Sequence, residues 1–274
     1  MNIVARKSIF RASRTLIMGV VNVTPDSFSD GGLYFDPDAA IARALRLIED
    51  GADILDIGGE SSRPGADPVD EVEELRRVVP VVRALAQSTS VPLSIDTMKP
   101  GVAAEALRAG AHIVNDIGGL RDPEILGVTA QAGAAAVIMH MRGTPRTMQN
   151  DPVYADVVAD VRAFLAERIA AAHAAGIEDV AVDPGIGFGK TAAHNFELLR
   201  RLEEFHALGC PLLIGPSRKS FLGALRGQES SKQRLEGTLA AVVIAAMKGC
   251  AIVRVHDVAE CRRALAVADA VRNE

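Results

Sequence analysis

The sequence contains few cysteines and few aromatic residues, and these shortages narrow what the protein can be. Three cysteines, Cys210, Cys250 and Cys261, are too few and too far apart for a disulfide framework, which predicts a reducing, cytoplasmic location. Tryptophan is absent and aromatic residues make up 4% of the chain, whereas apolar residues make up 49%. We therefore expect a core built from aliphatic side chains and alanine.

Long hydrophobic runs are also missing. The longest, LAAVVIAAM, is far shorter than a membrane span, and the basic start MNIVARKSIFRAS lacks the apolar segment of a signal peptide. The net charge of −5 argues against nucleic acid as a partner. We therefore predict a protein that binds neither membrane nor nucleic acid, in which any anion site depends on a local cluster of positive charge.

One pattern recurs eight times along the 274 residues: a short apolar run, a polar residue at its end, and then a helical stretch. Strands that alternate with helices in this way predict an α/β fold, a (β/α)8 TIM barrel that forms a single domain over residues 1–274. In that fold the C-terminal ends of the strands meet on one face, where active sites lie. The polar residues at or near the run ends are Asn22, Asp56, Asp96, Asn115, His140, Asp183, Arg218, Lys219, Arg254 and His256.

The segments between the runs separate into helices and two long loops. Apolar residues three and four apart predict helices over residues 38–50, 71–87, 156–175 and 232–248. NVTPDSFSDGGLYFDP and GESSRPGADPVD follow the first two strands, and their polar, aperiodic composition predicts functional loops. The segment LEGTLAAVVIAAM is apolar nearly all round, so its second face predicts packing on a partner or on a neighbouring helix.

Three strand ends carry hydrogen-bond acceptors, at Asp96, Asn115 and Asp183. A ligand with several ring N–H and amino donors would satisfy them, whereas two crowded carboxylates without such a ligand repel each other. The alternative is that they cap the following helices, which is strongest for Asp96 because Thr97, Met98, Lys99 and Pro100 follow it. The sequence leaves both interpretations open.

Basic residues follow the last two strands. SRKSF places Lys219 where a helix begins, a position that favours anions, although an ordinary solvated turn remains an alternative. In RVHDV the two-residue period of a strand puts Arg254 and His256 on one side. With Arg63 in the second loop, these residues predict a positive cluster near the strands where many barrels bind phosphate.

The glycine-rich segment DPGIGFGKT only partly matches a phosphate-binding loop, because Pro184 occupies the position of the first required glycine. Its glycines, including Gly187, instead predict a tight backbone path beside a flat ligand. His140 could be a metal ligand or a base. No second His or Cys lies at ligand spacing, however, which favours a structural histidine.

Eight segments together resemble the dihydropteroate synthase family and cover nearly the whole chain. In order, they are MGVVNVTPDSFSDGG, DIGGESSRPGA, SIDT, VNDIGG, MHMRGTP, DPGIGFGKTAAHN, GPSRKSF and RVHDV. The resemblance implies a transferase of folate biosynthesis that condenses 6-hydroxymethyl-7,8-dihydropterin diphosphate with p-aminobenzoate. The products are 7,8-dihydropteroate and diphosphate. The resemblance also implies Mg²⁺ as cofactor and a homodimer.

The resemblance further assigns roles to individual residues. It implies pterin binding by Asp96, Asn115, Ile117, Met139, Asp183, Gly187, Phe188 and Lys219. It implies diphosphate binding by Asn22, Ser62, Arg63, Arg254 and His256, with Mg²⁺ on Asn22 and with Asp30 as a second candidate ligand. It implies p-aminobenzoate binding by Phe28, Ser62, Pro64, Lys219 and Ser220. The catalytic residues it implies are Asp30, Lys219, Arg254 and His256.

The first loop carries a further hypothesis about catalysis. It leaves the first strand directly after Asn22, and Asp30 is followed by Gly31 and Gly32, which could act as a hinge. Loss of diphosphate leaves positive charge developing on the pterin methylene. We expect the Asp30 carboxylate to stabilise that charge while the loop excludes water.

Two alternatives share part of the pattern. A pterin-binding methyltransferase domain has the barrel and the acidic cluster, but it needs neither the diphosphate cations nor the long first loop. A non-catalytic pterin-binding paralogue needs the pocket alone. Two positions depart from the commonest family pattern: Ser62 replaces a frequent Thr but keeps the hydroxyl, and Arg142 stands where Gln or Lys is common.

Overall fold

The computed structural model describes residues 8–24, 36–63, 65–224, 230 and 233–272. Within these ranges the strands are β1 (Leu16–Asn22), β2 (Ile54–Gly58), β3 (Leu93–Asp96), β4 (Ile113–Asp116), β5 (Ala135–Met139), β6 (Val180–Asp183), β7 (Leu213–Ile214) and β8 (Ile252–Val255). The helices are α1 (Pro37–Glu49), α2 (Glu71–Ser88), α3 (Pro100–Ala109), α4 (Pro123–Gln131), α5 (Val157–Ala174), α6 (Ala192–Arg200), α7 (Ser220–Ala224), α8 (Leu235–Met247) and α9 (Val258–Arg272). A 3₁₀ helix spans Leu202–Leu208.

The strands form one parallel sheet in the order β6-β5-β4-β3-β2-β1-β8-β7. A parallel bridge between Val182 and Leu212 brings β6 beside the start of β7 and closes the ring. The predicted (β/α)8 barrel is therefore confirmed, and every predicted strand is present. That residues 1–274 form a single domain stays a prediction.

Aspartate side chains cap the N-termini of four helices. Asp36, Asp70, Asp122 and Asp156 each accept a hydrogen bond from a backbone N–H in the first turn of α1, α2, α4 and α5, which satisfies groups that the helix leaves unpaired. The predicted helix over residues 232–248 begins later, at Leu235, and Lys232 lies outside the described residues.

The core has an outer and an inner part, because alternate strand residues face opposite sides of the sheet. The outer part lies between the sheet and the helices and is largely aliphatic. The inner part fills the barrel and includes Met18, Ile54, Val137 and Ile252, with Phe10 packed against them from the segment before β1. This packed interior leaves the C-terminal mouth of the barrel as the face for polar side chains. No helix in the described ranges is long and apolar enough to cross a membrane.

Candidate active site

Strand register places several predicted site residues side by side at the barrel mouth. Asn22 pairs with Gly58, Gly58 with Asp96, and Asp96 with Asn115, so the ends of β1 to β4 form one row. Gly58 contributes no side chain to that row, and a Cβ there would lie 3.3 Å from the Asp96 Cβ. The row therefore presents, in order, the Asn22 amide, no side chain at Gly58, the Asp96 carboxylate and the Asn115 amide.

Arg254 crosses from β8 to this row and joins two carboxylates. Its Nε donates to Asp56 Oδ2 and its Nη2 donates to Asp96 Oδ2, both over 2.6 Å. Asn115 Nδ2 also donates to Asp56 Oδ2, over 3.0 Å. Burial destabilises an unpaired guanidinium or an unpaired carboxylate. The Arg254 guanidinium and the two carboxylates therefore stabilise each other. The structure thus brings Arg254 to the acceptor cluster at the barrel mouth.

Asp56 also belongs to this centre. The sequence pattern places it near a strand end, but it carried no predicted role. Its side chain is fully buried, and its Oδ1 has no hydrogen-bond partner among the described residues. The available signal was a carboxylate inside the apolar run ILDIG, where a charged side chain requires a buried partner.

The capping alternative for Asp96 is wrong. Lys99 occupies the N-cap of α3, and no side chain caps that helix. Asp96 instead accepts a hydrogen bond from Arg254. Burial raises the pKa of Asp96 to about 7; Arg254 opposes the shift and Asp56 adds to it. Asp96 is thus an acceptor whose charge depends on its neighbours.

Asp183 ends β6 on the opposite side of the mouth and is also buried. Its Oδ1 accepts the Gly185 N–H over 2.7 Å, whereas Thr191 caps the next helix, so helix capping is excluded here too. Burial raises the pKa of Asp183, while the nearby Lys219 ammonium lowers it. This leaves Asp183 with acceptor capacity toward the barrel mouth.

Lys219 reaches this region from the turn before α7. Its Nζ donates to the Ile186 carbonyl and lies 4.4 Å from the centre of the Phe188 ring. A Cβ at Gly187 would lie 2.6 Å from Lys219 Cδ, and the φ of Gly187 is 84°, so glycine is required where the two segments meet. Burial lowers the pKa of Lys219 to about 8, although Asp183 opposes that shift.

An apolar shelf lies beside the acceptors. The predicted ring-contacting residues Ile117, Met139 and Phe188 pack in one cluster with Met141 and Met148. Thioether and aromatic side chains adapt well to a flat ring. The structure therefore brings the predicted polar and apolar pterin residues to the same part of the mouth.

His256 does not contribute the positive charge expected of it. Its Nδ1 lies 3.0 Å from Ser217 Oγ, and burial, with Arg254 and Arg218 beside it, lowers its pKa to about 3. Among the protein's own groups, neutral imidazole is therefore favoured at His256. Arg218 forms an ion pair with Asp257, which offsets its charge, so the cations left for this side among the described residues are Arg254 and Arg63.

A cleft with an empty volume of about 290 Å³ opens beside Asp96 and Ile117. The base of the second loop lines it through Glu60 and Ser62. Lys99 forms ion pairs with Glu60 and with the buried Glu74, which connects that loop to α2. Arg63, one residue after Ser62, is exposed.

The remaining predicted residues divide into three groups. Asn22 is half-buried at the end of β1, and Ser220 is exposed at the first position of α7. Phe28, Asp30 and Pro64 lie outside the described residues. Within the part of the chain that the structure describes, no group of three His, Cys, Asp or Glu side chains could hold a metal ion.

The structural interpretation of His140 is supported by its surroundings. Its Nδ1 lies 2.9 Å from the Nζ of Lys190, and its ring meets Phe164 edge to face at 5.0 Å. Lys190 had no predicted role beyond the failed phosphate-loop match. The sequence signal was a lysine directly after Gly189 in the glycine-rich segment DPGIGFGKT, which does not show that the side chain is buried.

Comparisons with known proteins agree with this geometry. A family profile described as "Pterin binding enzyme" matches residues 18–256. The dihydropteroate synthase of Escherichia coli (strain K12) is 48% identical over 272 residues, 98% of this chain and 96% of that protein. The Yersinia pestis dihydropteroate synthase, solved with a sulfonamide drug, superposes with a TM-score of 0.90 at 48% identity over 96% of each chain. The Xanthomonas albilineans dihydropteroate synthase in complex with 7,8-dihydropteroate gives a TM-score of 0.86 at 48% identity over 95% of each chain.

Proposed function

The chain belongs to the dihydropteroate synthase family, and from that membership we propose how its own residues carry out the reaction. The enzyme is a transferase of folate biosynthesis. It condenses 6-hydroxymethyl-7,8-dihydropterin diphosphate with p-aminobenzoate to give 7,8-dihydropteroate and diphosphate. In this condensation a C–N bond forms at the pterin methylene, the C–O bond to diphosphate breaks, and the amine releases a proton.

The pterin ring is held between the acceptors and the apolar shelf. Asp96, Asn115 and Asp183 accept its ring and amino donors, and Lys219 leaves the Ile186 carbonyl to donate to a ring acceptor. The observation that carries this proposal is the convergence of these groups from β3, β4, β6 and the β7 turn beside Met139 and Phe188. A flat ligand with donors on one edge satisfies the buried acceptors and stacks on the shelf.

Diphosphate lies on the arginine side of the mouth. Arg63 and Arg254 supply positive charge toward His256; burial is the main cause of the lowered pKa of its imidazole, and the two arginines add to it. Ser62 offers a hydroxyl from the second loop. Neutral His256 donates a hydrogen bond through one ring nitrogen while Ser217 holds the other. Cations placed where the leaving group gains charge stabilise the transition state.

Magnesium fits the donor chemistry of this side. Asn22 ends β1 with an amide oxygen, and the rest of the coordination shell can come from diphosphate oxygens and water, an arrangement typical of Mg²⁺. Asp30 is a second candidate ligand on sequence grounds. When bound, the ion neutralises charge on the departing diphosphate.

The p-aminobenzoate site lies above the diphosphate. Lys219 and Ser220 at the start of α7, with Ser62 of the second loop, are the described residues proposed to bind it, and Phe28 and Pro64 are proposed on sequence grounds alone. The amine then faces the pterin methylene, so the catalytic effect is chiefly one of positioning and electrostatics.

The family also supports a homodimer and a cytoplasmic location as proposals. Ile244 and Met247 of α8, and Val267 and Val271 of α9, are exposed apolar side chains on two helices that contact each other. A second copy of the chain would cover this surface. The three cysteines are unpaired, as expected in a reducing compartment.

Diphosphate release with both substrates present is the test of the function. We expect purified protein to release diphosphate and form dihydropteroate in the presence of Mg²⁺, and to lose the activity in EDTA until Mg²⁺ is restored. Binding of pterin without release of diphosphate would indicate a pterin-binding methyltransferase domain or a non-catalytic paralogue. Activity that persists in EDTA would remove the magnesium proposal alone.

A further inference from the structure

Lys190 is a buried lysine whose ammonium group turns under the glycine-rich segment 185–189 instead of toward solvent. Its Nζ lies 3.0 Å from the carbonyl oxygens of Gly185 and Phe188 and 2.9 Å from His140 Nδ1. The three N–H groups of an ammonium therefore meet these three acceptors, and the His140 carbonyl oxygen lies further away, at 3.4 Å. Burial and the charge of Lys190 lower the pKa of His140 to about 3, so the imidazole is neutral and its Nδ1 accepts.

Asn195 supports the same segment from the first turns of α6. Its Oδ1 accepts the Gly187 N–H over 2.7 Å, and its Nδ2 donates to the Thr191 carbonyl over 2.9 Å, which fixes the orientation of the amide. Lys190 and Asn195 are 3% and 2% exposed. Together they form hydrogen bonds with three backbone groups of the segment: the carbonyl groups of Gly185 and Phe188 and the N–H of Gly187.

The segment needs this support because its backbone is neither strand nor helix. Gly185 and Gly187 have φ values of 69° and 84°, and a Cβ at Gly185 would lie 1.9 Å from the His140 carbonyl oxygen. Both carbonyl groups that accept from Lys190 lack the ladder partners of regular structure. The Gly185 carbonyl also accepts the Phe188 N–H over 3.0 Å, so Lys190 matters most for the Phe188 carbonyl, which would be costly to leave unpaired.

The opposite side of the segment faces the proposed pterin pocket. Phe188 places its ring 4.4 Å from Lys219 Nζ, and the Ile186 carbonyl accepts from the same ammonium. A small shift of the backbone at Phe188 would therefore move an apolar wall and a polar group of the pocket at once.

Lys190 also acts electrostatically on Asp183. Burial raises the pKa of that carboxyl, and the charges that oppose the shift come from Lys219, Lys190 and Arg254, along with the Gly185 N–H. Burial lowers the pKa of Lys190 to about 7, although Asp183 opposes the shift, so this charge acts on Asp183 chiefly below about pH 7. It acts without contact, because the Lys190 donors are occupied by His140 and two carbonyl groups.

We propose that Lys190 is a positioning residue for pterin binding, which together with Asn195 clamps the glycine-rich segment so that Phe188 and Ile186 face the ligand. This inference rests on the proposed pterin pocket. Lys190 does not touch the ligand; it acts through the loop and through the charge of Asp183.

Replacing Lys190 with methionine tests the inference, because methionine keeps the length of the side chain but removes the ammonium. Calorimetry with 6-hydroxymethylpterin should show at least tenfold weaker binding by Lys190→Met than by the parent. The acid limb of the affinity profile, the pH range in which affinity falls as Asp183 is protonated, should also move to higher pH. The reason is that Asp183 loses a positive neighbour, so its pKa rises. The KM for p-aminobenzoate at saturating pterin diphosphate should change less than twofold.

Two further variants keep the outcome decisive. Lys248→Met removes a surface lysine paired with Glu203 and should bind as the parent does. Asn195→Ala should weaken binding without moving the acid limb, since it removes no charge, and it decides the matter if Lys190→Met does not fold. Parent-like affinity in a folded Lys190→Met or Asn195→Ala protein overturns the clamp. Absence of binding by the parent protein would instead overturn the proposed pterin pocket.

Discussion

Arg254 and Asp96 lie on strands that are not neighbours in the sheet, yet the Arg254 Nη2 lies 2.6 Å from Asp96 Oδ2 across the barrel mouth. The pair connects the residue proposed for diphosphate with a residue proposed for pterin. A ligand that binds one therefore acts on the charge of the other. Removal of one member of such a buried pair leaves the second charge uncompensated.

Asp96→Asn should weaken binding of a pterin analogue by about 1–3 kcal/mol, the usual range for a buried donor left without its acceptor. Because burial raises the pKa of Asp96 to about 7, parent binding should weaken as pH falls through 7 and the carboxylate becomes protonated. The variant should lack that contribution to the pH profile. Calorimetry across about pH 5.5–8.5, roughly one and a half units either side of 7, measures both effects.

Glu105→Gln is a suitable control for Asp96→Asn, because Glu105 pairs with Arg108 on the exposed side of α3. Surface pairs of this kind contribute little to stability or binding. If Asp96→Asn binds the analogue as tightly as Glu105→Gln does, Asp96 is no pterin acceptor.

The strand ends were predictable because the chemistry-bearing residues directly follow apolar runs. Asp96, Asn115 and Asp183 each close a strand, and a barrel brings such residues to one face whatever the details of packing. The shared cluster of Ile117 and Phe188 follows from the same geometry. These parts of the site depend on the topology of the barrel, which the repeated alternation of apolar runs and helical stretches predicts.

The roles of Lys190 and His256 depend on where their side chains point in the folded structure. The order of residues along the chain does not show this. Lys190 follows a glycine in a polar-looking motif, yet its side chain turns inward to meet carbonyl groups. His256 looked cationic by residue type, but its charge state depends first on burial, which the sequence does not show, and then on Arg254 and Arg218. Neither environment can be read from neighbours along the chain.

Asp30→Ala should lower turnover by about 10²-fold, the usual scale for one preorganised electrostatic group. The prediction rests on the sequence, since Asp30 lies outside the described residues. Binding of a pterin analogue should stay near normal, because the ring is assigned to Asp96, Asn115 and Asp183. Turnover and analogue affinity measured on the same variant separate the two effects, and near-normal turnover would leave the first loop a passive cover.

The apolar surface of α8 and α9 predicts the oligomeric state. Ile244→Glu combined with Val267→Glu should convert a dimer to a monomer, because both side chains are exposed in the single chain and a dimer would bury the new charges. Light scattering at micromolar concentration is the measurement. Val72→Glu, at an exposed valine of α2, should leave the dimer intact. A parent protein that scatters only as a monomer would contradict the proposal.

Lys219 should cause activity and stability to change in opposite directions with pH. Its pKa is lowered to about 8, so the ammonium proposed to bind substrate is lost as pH rises through 8, and kcat/KM should fall on that side. In the unfolded chain the same lysine has a pKa near its ordinary value of 10.5. Between about 8 and 10.5 the unfolded chain therefore binds more protons, and the contribution of Lys219 to the free energy of unfolding rises with pH.

Lys219→Met should accordingly be more stable than the parent at pH 7, with a difference that shrinks as pH approaches about 10.5, where both states of the parent are neutral. Urea unfolding at several pH values measures this difference, and Lys248→Met supplies the control because that lysine pairs with Glu203 near the surface. A kcat/KM that stays flat from about pH 7 to 9 would show that the charge of Lys219 is not used. A stability difference independent of pH would show that its ammonium is not penalised by burial.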